Sequence, residues 1–141
     1  MSDKGQLFVV GTPIGNLEDI TLRAISTLQN VDMILAEDTR NSKKLLDAHS
    51  IDTKMMSYHE HSSEKEIKKI VGLLLEGKDL ALISDAGTPT ISDPGYGLIR
   101  DCIKHDIAII PIPGVSSITA AMSVSGSVSY THLTLPTIGC V

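Results

Sequence analysis

The segment Glu37-Asp38-Thr39-Arg40 places two carboxylates and a guanidinium close together, directly after a run of apolar residues. Carboxylates can accept and release protons during a reaction, and a guanidinium can bind an anionic group. Adjacent side chains of an extended segment point in opposite directions, so we expect at most one of Glu37 and Asp38 to face a common pocket. The other carboxylate would then cap the following helix or pair with Arg40.

Two histidines, His59 and His61, follow a shorter apolar segment and are separated by one residue. The same alternation places both imidazoles on one side of the chain. A metal site would need a third ligand at a suitable spacing, and we find none in the sequence. We therefore predict no metal and expect these histidines to face solvent or a substrate.

Three loops rich in Gly, Pro and small polar residues follow other apolar runs, at Gly11–Asn16, Ser84–Gly95 and Pro113–Ser117. Glycine lets the backbone approach a ligand, and free amides at a helix start can bind an anion. The first loop alone would fit an ordinary turn equally well, and the second could be a rigid turn capped by Asp93. The second loop is longer than a simple connection needs to be, which favours a functional role. Taken together, the three loops predict one pocket.

Apolar runs typical of buried strands alternate with helical patterns along the chain. The predicted strands are Leu7–Val10, Val31–Ala36, Lys54–Tyr58, Leu80–Ile83 and Ile107–Ile110. Leu45, Leu46 and Ala48 are expected on the buried side of the second helix. The alternation predicts an α/β fold, with a mostly parallel sheet of about five strands and helices on both faces. In such a sheet the loops at the carboxyl ends of the strands bind ligands.

Individual residues also predict where helices begin and end. Thr21 or Asp19 is available to cap the first helix. Ser63 and Glu66 have the spacing of a capping box before the third helix, and Gly77 is well placed to end that helix in a left-handed conformation.

Composition and charge restrict the class of protein. The 141 residues are 42% hydrophobic and 21% charged, which is typical of a single globular domain. Cys102 and Cys140 lack the spacing of a disulfide framework or zinc site, so we expect a cytoplasmic protein, and no apolar run has membrane-spanning length. The net charge of −5 argues against generic attraction to nucleic acid. The basic cluster Arg40, Lys43 and Lys44 is more typical of a solvated helix face than of a phosphate contact.

Five sequence motifs, taken in their order and spacing, resemble a known family. They are GTPIGNLEDIT, AEDTR, SYHEH, ISDAGTPTISDPG and PIPGVSSITAA, and the resemblance runs from about Leu7 to Gly126. This set is similar to the ribosomal RNA small subunit methyltransferase I family of the tetrapyrrole methylase superfamily. The resemblance implies methyl transfer from S-adenosyl-L-methionine to the ribose 2′-hydroxyl of a cytidine in small-subunit (16S) ribosomal RNA.

The resemblance also implies roles for individual residues. The expected general bases are Glu37, Asp38 and His59. The expected substrate contacts are Arg40, Asn16 and Lys43. The residues expected to bind the methyl donor are Pro13, Asp85, Gly87, Thr88, Pro89, Ile91, Ser116 and Ser117. Thr88 stands where many relatives carry an Asp, and close approach of the donor would explain Gly87 better than turn geometry alone.

The family has two domains with the donor in the cleft between them. Residues 1–126 are expected to form the N-terminal methyltransferase domain, whereas residues 127–141 do not resemble the family's continuation. We therefore expect a weakly active or inactive form that lacks the second domain, and a homodimer. Two alternatives stay open, namely a non-catalytic fragment and a tetrapyrrole C-methyltransferase acting on precorrin or uroporphyrinogen. The Glu37-Asp38 pair would repel the carboxylates of such a macrocycle.

Overall fold

The computed structural model describes residues 3–59, 62–90 and 95–126, in which strands and helices alternate. The strands are β1 (Gln6–Val10), β2 (Met33–Ala36), β3 (Met55–Ser57), β4 (Leu80–Ile83) and β5 (Ala108–Ile112). The helices are α1 (Leu22–Asn30), α2 (Thr39–Ala48), α3 (Glu64–Leu75), α4 (Tyr96–Lys104) and α5 (Ser117–Ser125). Every predicted element is present, and the ends differ from the sequence-based bounds by a few residues.

The strands form one sheet in the order β3-β2-β4-β1-β5, and every neighbouring pair is parallel. This arrangement confirms the predicted α/β fold. β4 lies at the centre and all four of its residues are buried, which explains why its sequence is continuously apolar. β3 and β5 form the two edges and are more exposed.

Helices cover both faces of the sheet, as predicted. On one face, Leu28 of α1 and Leu46 of α2 pack in a first core. On the other face, Leu74 of α3 and Leu98 of α4 pack in a second core. β4 contributes alternate residues to the two cores, because successive side chains of a strand point to opposite faces. Each large aliphatic side chain buried in this way stabilises the fold by about 1.5–3 kcal/mol.

The helix ends follow local sequence. Thr21 Oγ1 accepts a hydrogen bond from the α1 backbone at 3.0 Å, so Thr21 is the cap. Ser63 Oγ accepts one from Glu66 N at 3.3 Å, which confirms the predicted start of α3. Gly77 follows α3 with φ of +100°, in the left-handed region that favours glycine. The predicted cap Asp93 lies outside the described residues.

The buried side of α2 differs from the prediction at one position. Leu45 and Leu46 are buried as expected, but the third buried residue is Ser42, and Ala48 is exposed. The prediction for Ala48 is wrong because the buried side of α2 runs through Ser42, Leu45 and Leu46, and position 48 lies outside it.

α5 is the exception among the helices, since it buries none of its residues. Ile118 is 61% exposed and Val124 is 85% exposed. α5 follows β5 at the edge of the sheet, where the described chain offers little surface to cover it. Within residues 3–59, 62–90 and 95–126, no helix combines the length and the apolar character needed to cross a membrane.

The chain leaves the central strands toward opposite faces of the sheet. β1 and β2 continue into α1 and α2, which share the first core, whereas β4 continues toward α4 in the second core. β4 lies between β2 and β1. Where neighbouring parallel strands continue to opposite faces, a crevice opens at their carboxyl ends. The topology therefore directs a ligand site to the end of β4.

Candidate functional site

The three loops singled out in the sequence meet at the carboxyl edge of the sheet. Thr12 N donates a hydrogen bond to Gly87 O at 2.9 Å, and Gly87 N donates one to Thr12 O at 3.0 Å. A Cβ at Gly11 would lie 2.9 Å from the Cα of Gly114, so the backbones of the first and third loops touch. Side chains at Gly11 or Gly114 would force these loops apart. The predicted convergence of the three loops is confirmed.

Gly87 has a structural reason to be glycine. Its φ is +80°, which L side chains rarely adopt, and it is buried beside the bridge to Thr12. A Cβ at this position would lie 3.5 Å from Ile14 Cγ2, an ordinary contact. Turn geometry is therefore a sufficient explanation of Gly87, contrary to the sequence argument. Its contact with a donor stays a prediction.

A cavity of about 420 Å³, here called the edge cavity, opens between the first loop, α2 and the end of β4. Its lining residues are Thr12, Pro13, Ile14, Gly15, Leu17, Asn41, Ser42, Lys44, Leu45, Ser84, Asp85 and Ala86. This volume lies in the range of about 300–1000 Å³ that is usual for small-molecule sites. The lining combines an apolar wall with one carboxylate and one ammonium group.

Hydrogen bonds to backbone carbonyls hold the walls of the edge cavity. His49 Nε2 donates to Leu17 O at 2.7 Å and so attaches the first loop to the end of α2. Thr12 Oγ1 donates to Ser84 O at 3.2 Å, and Ser84 Oγ donates to Ala86 O at 3.0 Å. Because both hydroxyls donate their protons to the fold, Asp85, Asn41 and Lys44 are the polar groups best placed to meet a ligand.

Asp38 caps α2 and pairs with Arg40, so one carboxylate of the Glu37-Asp38 pair has the structural role that the sequence left open. Asp38 Oδ1 accepts a hydrogen bond from Arg40 N at 2.9 Å and lies 3.7 Å from Arg40 Nε. The backbone N–H of Asp38 donates to Asp85 Oδ1 at 3.2 Å. This last bond orients the carboxylate that lines the edge cavity.

The three expected general bases are absent from the residues that line the edge cavity. Glu37 is half-buried at the end of β2. His59 follows the edge strand β3, two strands from β4, which corresponds to a separation of roughly 10 Å. His59 N donates to Ser62 Oγ at 3.0 Å in a local turn. The catalytic roles of Glu37, Asp38 and His59 stay predictions. The second histidine, His61, lies outside the described residues.

The residues expected to contact the substrate do not line the edge cavity either. Asn16 Oδ1 accepts a hydrogen bond from Glu18 N at 3.0 Å, within its own loop. Lys43 Nζ lies 3.6 Å from Asp47 Oδ1 in an exposed pair along α2. The neighbouring residue, Lys44, lines the edge cavity instead. Adjacent residues of a helix point about 100° apart, and of these two lysines only Lys44 is on the side of α2 that lines the cavity.

Sequence reasoning did not identify Leu17 or Asn41 as lining residues. Asn41 lies three residues before Lys44 and four before Leu45, so helical spacing places all three on one side of α2. That pattern was available in the sequence once the buried side of α2 was known. The position of Leu17 depends on the path of the first loop and has no local pattern.

The expected donor-binding residues are divided between two places. Those in the first and second loops are Pro13, Asp85, Gly87, Thr88 and Pro89. Pro13 and Asp85 line the edge cavity. Ser116 caps α5, and its Oγ accepts a hydrogen bond from the α5 backbone at 3.4 Å, while Ser117 is exposed. Ile91 lies outside the described residues.

Burial raises the pKa of two groups in the second core. The pKa of the Cys102 thiol rises to about 11, mainly because burial disfavours the thiolate. The pKa of the Tyr58 hydroxyl is also raised, chiefly by burial. A thiol that holds its proton so firmly is a poor nucleophile. These groups therefore belong to the packing of the sheet against α3 and α4.

Residues 6–134 match the family of tetrapyrrole (corrin/porphyrin) methylases, and the chain belongs to this family. The matched span includes all five strands and the three convergent loops. Two similar curated proteins carry the name ribosomal RNA small subunit methyltransferase I. The protein of Halalkalibacterium halodurans is 56% identical over 124 residues, which are 88% of this chain and 43% of that protein. The protein of Thermotoga maritima is 53% identical over 122 residues, which are 86% of this chain and 55% of that protein.

These relatives confirm the resemblance drawn from the motifs. The chain spans about half the length of the curated relatives it matches. Among solved structures, uroporphyrin-III-C-methyltransferase from Thermus thermophilus has a TM-score of 0.66 at 20% identity, covering 84% of this chain and 52% of that one. Cobalt precorrin-4 methyltransferase has a TM-score of 0.68 at 21% identity, covering 93% and 53%. At this identity the structures support the fold alone.

Proposed function

We propose that this chain forms the N-terminal domain of an enzyme that methylates a ribose 2′-hydroxyl of a cytidine in small-subunit (16S) ribosomal RNA. The methyl donor is S-adenosyl-L-methionine. The proposal rests chiefly on the 56% identity to the Halalkalibacterium halodurans protein, whose name states the ribosomal RNA and the methyl transfer. We place this domain at residues 1–126, and residues 127–141 outside it. A cytoplasmic homodimer is part of the same proposal.

The residues of the convergent loops fit a donor of this kind. S-adenosyl-L-methionine supplies a methyl group already activated by a sulfonium centre. Pro13 and Ile14 offer apolar contact to the donor in the edge cavity. A Cβ at Gly15 would meet no atom within 4 Å, so the first loop leaves open space for a ligand.

The chain's own contribution to the reaction is positioning and proton acceptance. Correct alignment of two reactants supplies a large part of the rate of such a transfer. We propose that Asp85 accepts a hydrogen bond from the ribose 2′-hydroxyl and takes its proton as the methyl group transfers. Asp85 lines the edge cavity and is oriented by the Asp38 N–H at 3.2 Å, which supports this choice over Glu37 and His59.

The variant Asp85→Asn tests this role in the full-length protein. An amide oxygen can still accept the hydrogen bond from Asp38 N, so we expect the fold to persist. Loss of a positioned general base lowers a rate by about 10²–10⁴-fold. If Asp85→Asn transfers methyl groups at a rate within a few-fold of the unaltered protein, Asp85 is not the general base, and Glu37, Asp38 and His59 stay the candidates.

The alternative of a tetrapyrrole C-methyltransferase has less support. Its structural relatives share the fold at 20–21% identity. A macrocycle carrying several carboxylates would approach Glu37, Asp38 and Asp85 at the same edge of the sheet. Repulsion between like charges disfavours this substrate, whereas one phosphate and one hydroxyl match the single ammonium and single carboxylate of the edge cavity.

Two measurements test the proposed function. Calorimetric titration of the chain with S-adenosylhomocysteine asks whether the donor site exists, and we expect saturable heat. Radiolabelled donor mixed with unmethylated small ribosomal subunits then asks whether label enters the ribose 2′-position, with previously methylated subunits as the control. Donor binding without any labelled RNA, also in a full-length relative, would favour the tetrapyrrole alternative. Absence of donor binding would favour a non-catalytic fragment.

A further inference from the structure

Building on the proposed function, we propose that Lys44 holds the phosphate next to the reacting ribose, with Asn41 as a second hydrogen-bonding group. Both residues lie on the side of α2 that lines the edge cavity, one helical turn apart. Asp85 lines the same cavity from the end of β4. A phosphate on Lys44 would therefore leave the attached ribose within the cavity, where its hydroxyl can meet Asp85.

The other cations of this region are engaged outside the cavity. Arg40 pairs with Asp38 at 3.7 Å, and its side chain is 94% exposed. Lys43 pairs with Asp47 at 3.6 Å on the exposed side of α2. Within the part of the chain that the structure describes, Lys44 has no ion pair with a carboxylate and is the one basic residue lining the cavity. Its ammonium is therefore available to an anion from outside.

The remaining lining residues suit the other parts of a nucleotide. Leu17 and Leu45 give the cavity an apolar wall against which a base can pack. The single ammonium matches a phosphate, and the single carboxylate matches a ribose hydroxyl. Because the chain has a net charge of −5, a phosphate has no general reason to bind this surface. Binding should therefore depend on the position of Lys44 and not on charge alone.

Successive lysines in the chain offer a matched control. Lys43→Gln and Lys44→Gln remove the same charge from neighbouring exposed positions of one helix, and circular dichroism checks that both variants fold. The probe is cytidine 3′,5′-bisphosphate, which carries both flanking phosphates and a free 2′-hydroxyl. Binding is measured at low salt by NMR titration of the 141-residue chain, with cytidine as the probe without phosphate.

We expect Lys44→Gln to weaken binding of the bisphosphate by about three- to fivefold, as for other exposed ion pairs. Lys43→Gln should change it by less than about 1.5-fold, and Lys44→Arg should restore it, because the charge stays in place. Added salt should reduce the difference between the two glutamine variants. The unaltered chain should bind cytidine more weakly than the bisphosphate.

Equal loss in Lys43→Gln and Lys44→Gln would overturn the proposal, since it would show that net charge alone matters. Lack of bisphosphate binding by the unaltered chain would also overturn it. S-adenosylhomocysteine affinity is measured on the same samples. If the donor binds neither to these samples nor to a full-length relative while the lysine effect is present, the proposed function fails and the phosphate site stands. If the donor binds and the lysine effect is absent, only the phosphate site fails.

Discussion

α2 and α5 both begin where a strand ends at the carboxyl edge, and both have a side-chain cap, yet they differ in how they are held. α2 buries Ser42, Leu45 and Leu46 against the sheet and forms one wall of the edge cavity. α5 buries none of its residues. Within the described residues, the hydrophobic core therefore holds α2 in place beside the site. α5 has no buried residues to hold it in the same way.

The difference has a cause in the two sequences. α2 concentrates its large apolar residues at Leu45 and Leu46, and its other residues are mostly polar. α5 carries Ile118, Met122 and Val124 among alanines, serines and a threonine, with apolar residues on several sides. A helix of that kind is typical of an element covered on more than one side. The matched span is about half the length of the relatives.

The largest expected effect concerns methyl transfer. If α5 needs residues beyond the matched span, the 141 residues by themselves hold the donor loosely. A misplacement on the order of 1 Å can lower a rate about a hundredfold. We therefore expect label transfer to small subunits at least about a hundredfold slower than by the full-length Halalkalibacterium halodurans protein. Comparable rates of label transfer by the 141-residue chain and the full-length protein would show that α5 needs no residues beyond the matched span.

A second test compares truncated side chains in the two helices. Leu46→Ala removes a side chain that is 2% exposed, and we expect it to lower the free energy of unfolding by about 2–4 kcal/mol. Ile118→Ala removes one that is 61% exposed, and the change should stay within about 0.5 kcal/mol. Urea unfolding followed by circular dichroism measures both. A loss of similar size in Ile118→Ala would mean that α5 packs in solution.

The two helix caps allow a smaller comparison. Asp38 Oδ1 accepts from Arg40 N at 2.9 Å, and Asp38→Ala should lower the free energy of unfolding by about 1 kcal/mol. Ser116 Oγ accepts from Thr119 N at 3.4 Å in a helix without buried residues. Ser116→Ala should therefore loosen α5 locally and leave global unfolding unchanged. Urea unfolding measures the free energy of unfolding of both variants. Equal losses in Asp38→Ala and Ser116→Ala would contradict the proposed difference between α2 and α5.

The smallest expected effect concerns the link between α2 and the first loop. His49→Ala removes the hydrogen bond to Leu17 O at 2.7 Å, which should lower the free energy of unfolding by about 0.5 kcal/mol. Amide hydrogen exchange should accelerate in residues 14–17 and remain unchanged in α5. His49→Gln, which keeps an N–H donor at a similar distance from the backbone, serves as the control. Unchanged exchange in the first loop would show that the loop is held by its bridge to Gly87 instead.

Much of this fold could be predicted from the sequence because the relevant signals are local. Continuous apolar runs of four or five residues, such as Leu80–Ile83, can be buried on both faces only in a sheet covered by helices. Ser63 with Glu66 marks the start of α3, and Gly77 follows its end. Parallel strands then bring the glycine-rich loops to one edge without any knowledge of tertiary contacts.

The residues that face the edge cavity could not be predicted equally well. Lys43 and Lys44 are identical in type and adjacent, so their roles depend on the rotation of α2 about its axis. That rotation is set by tertiary packing, in which Ser42 and not Ala48 is buried. Asp85 was expected to contact the donor, but its bond from Asp38 N joins residues that are distant in sequence. Such contacts leave no periodic pattern in a single chain.

The bridge between Thr12 and Gly87 bears on the thermodynamics of ligand binding. Its two hydrogen bonds, at 2.9 and 3.0 Å, join the first and second loops before any ligand arrives. A ligand that contacts both loops therefore orders fewer backbone torsions on binding, which leaves more of its interaction energy as affinity. The two loops should also respond together, so a ligand bound to one should slow amide exchange in the other. Preorganisation of this kind does not involve α5 and should persist whether or not α5 is covered.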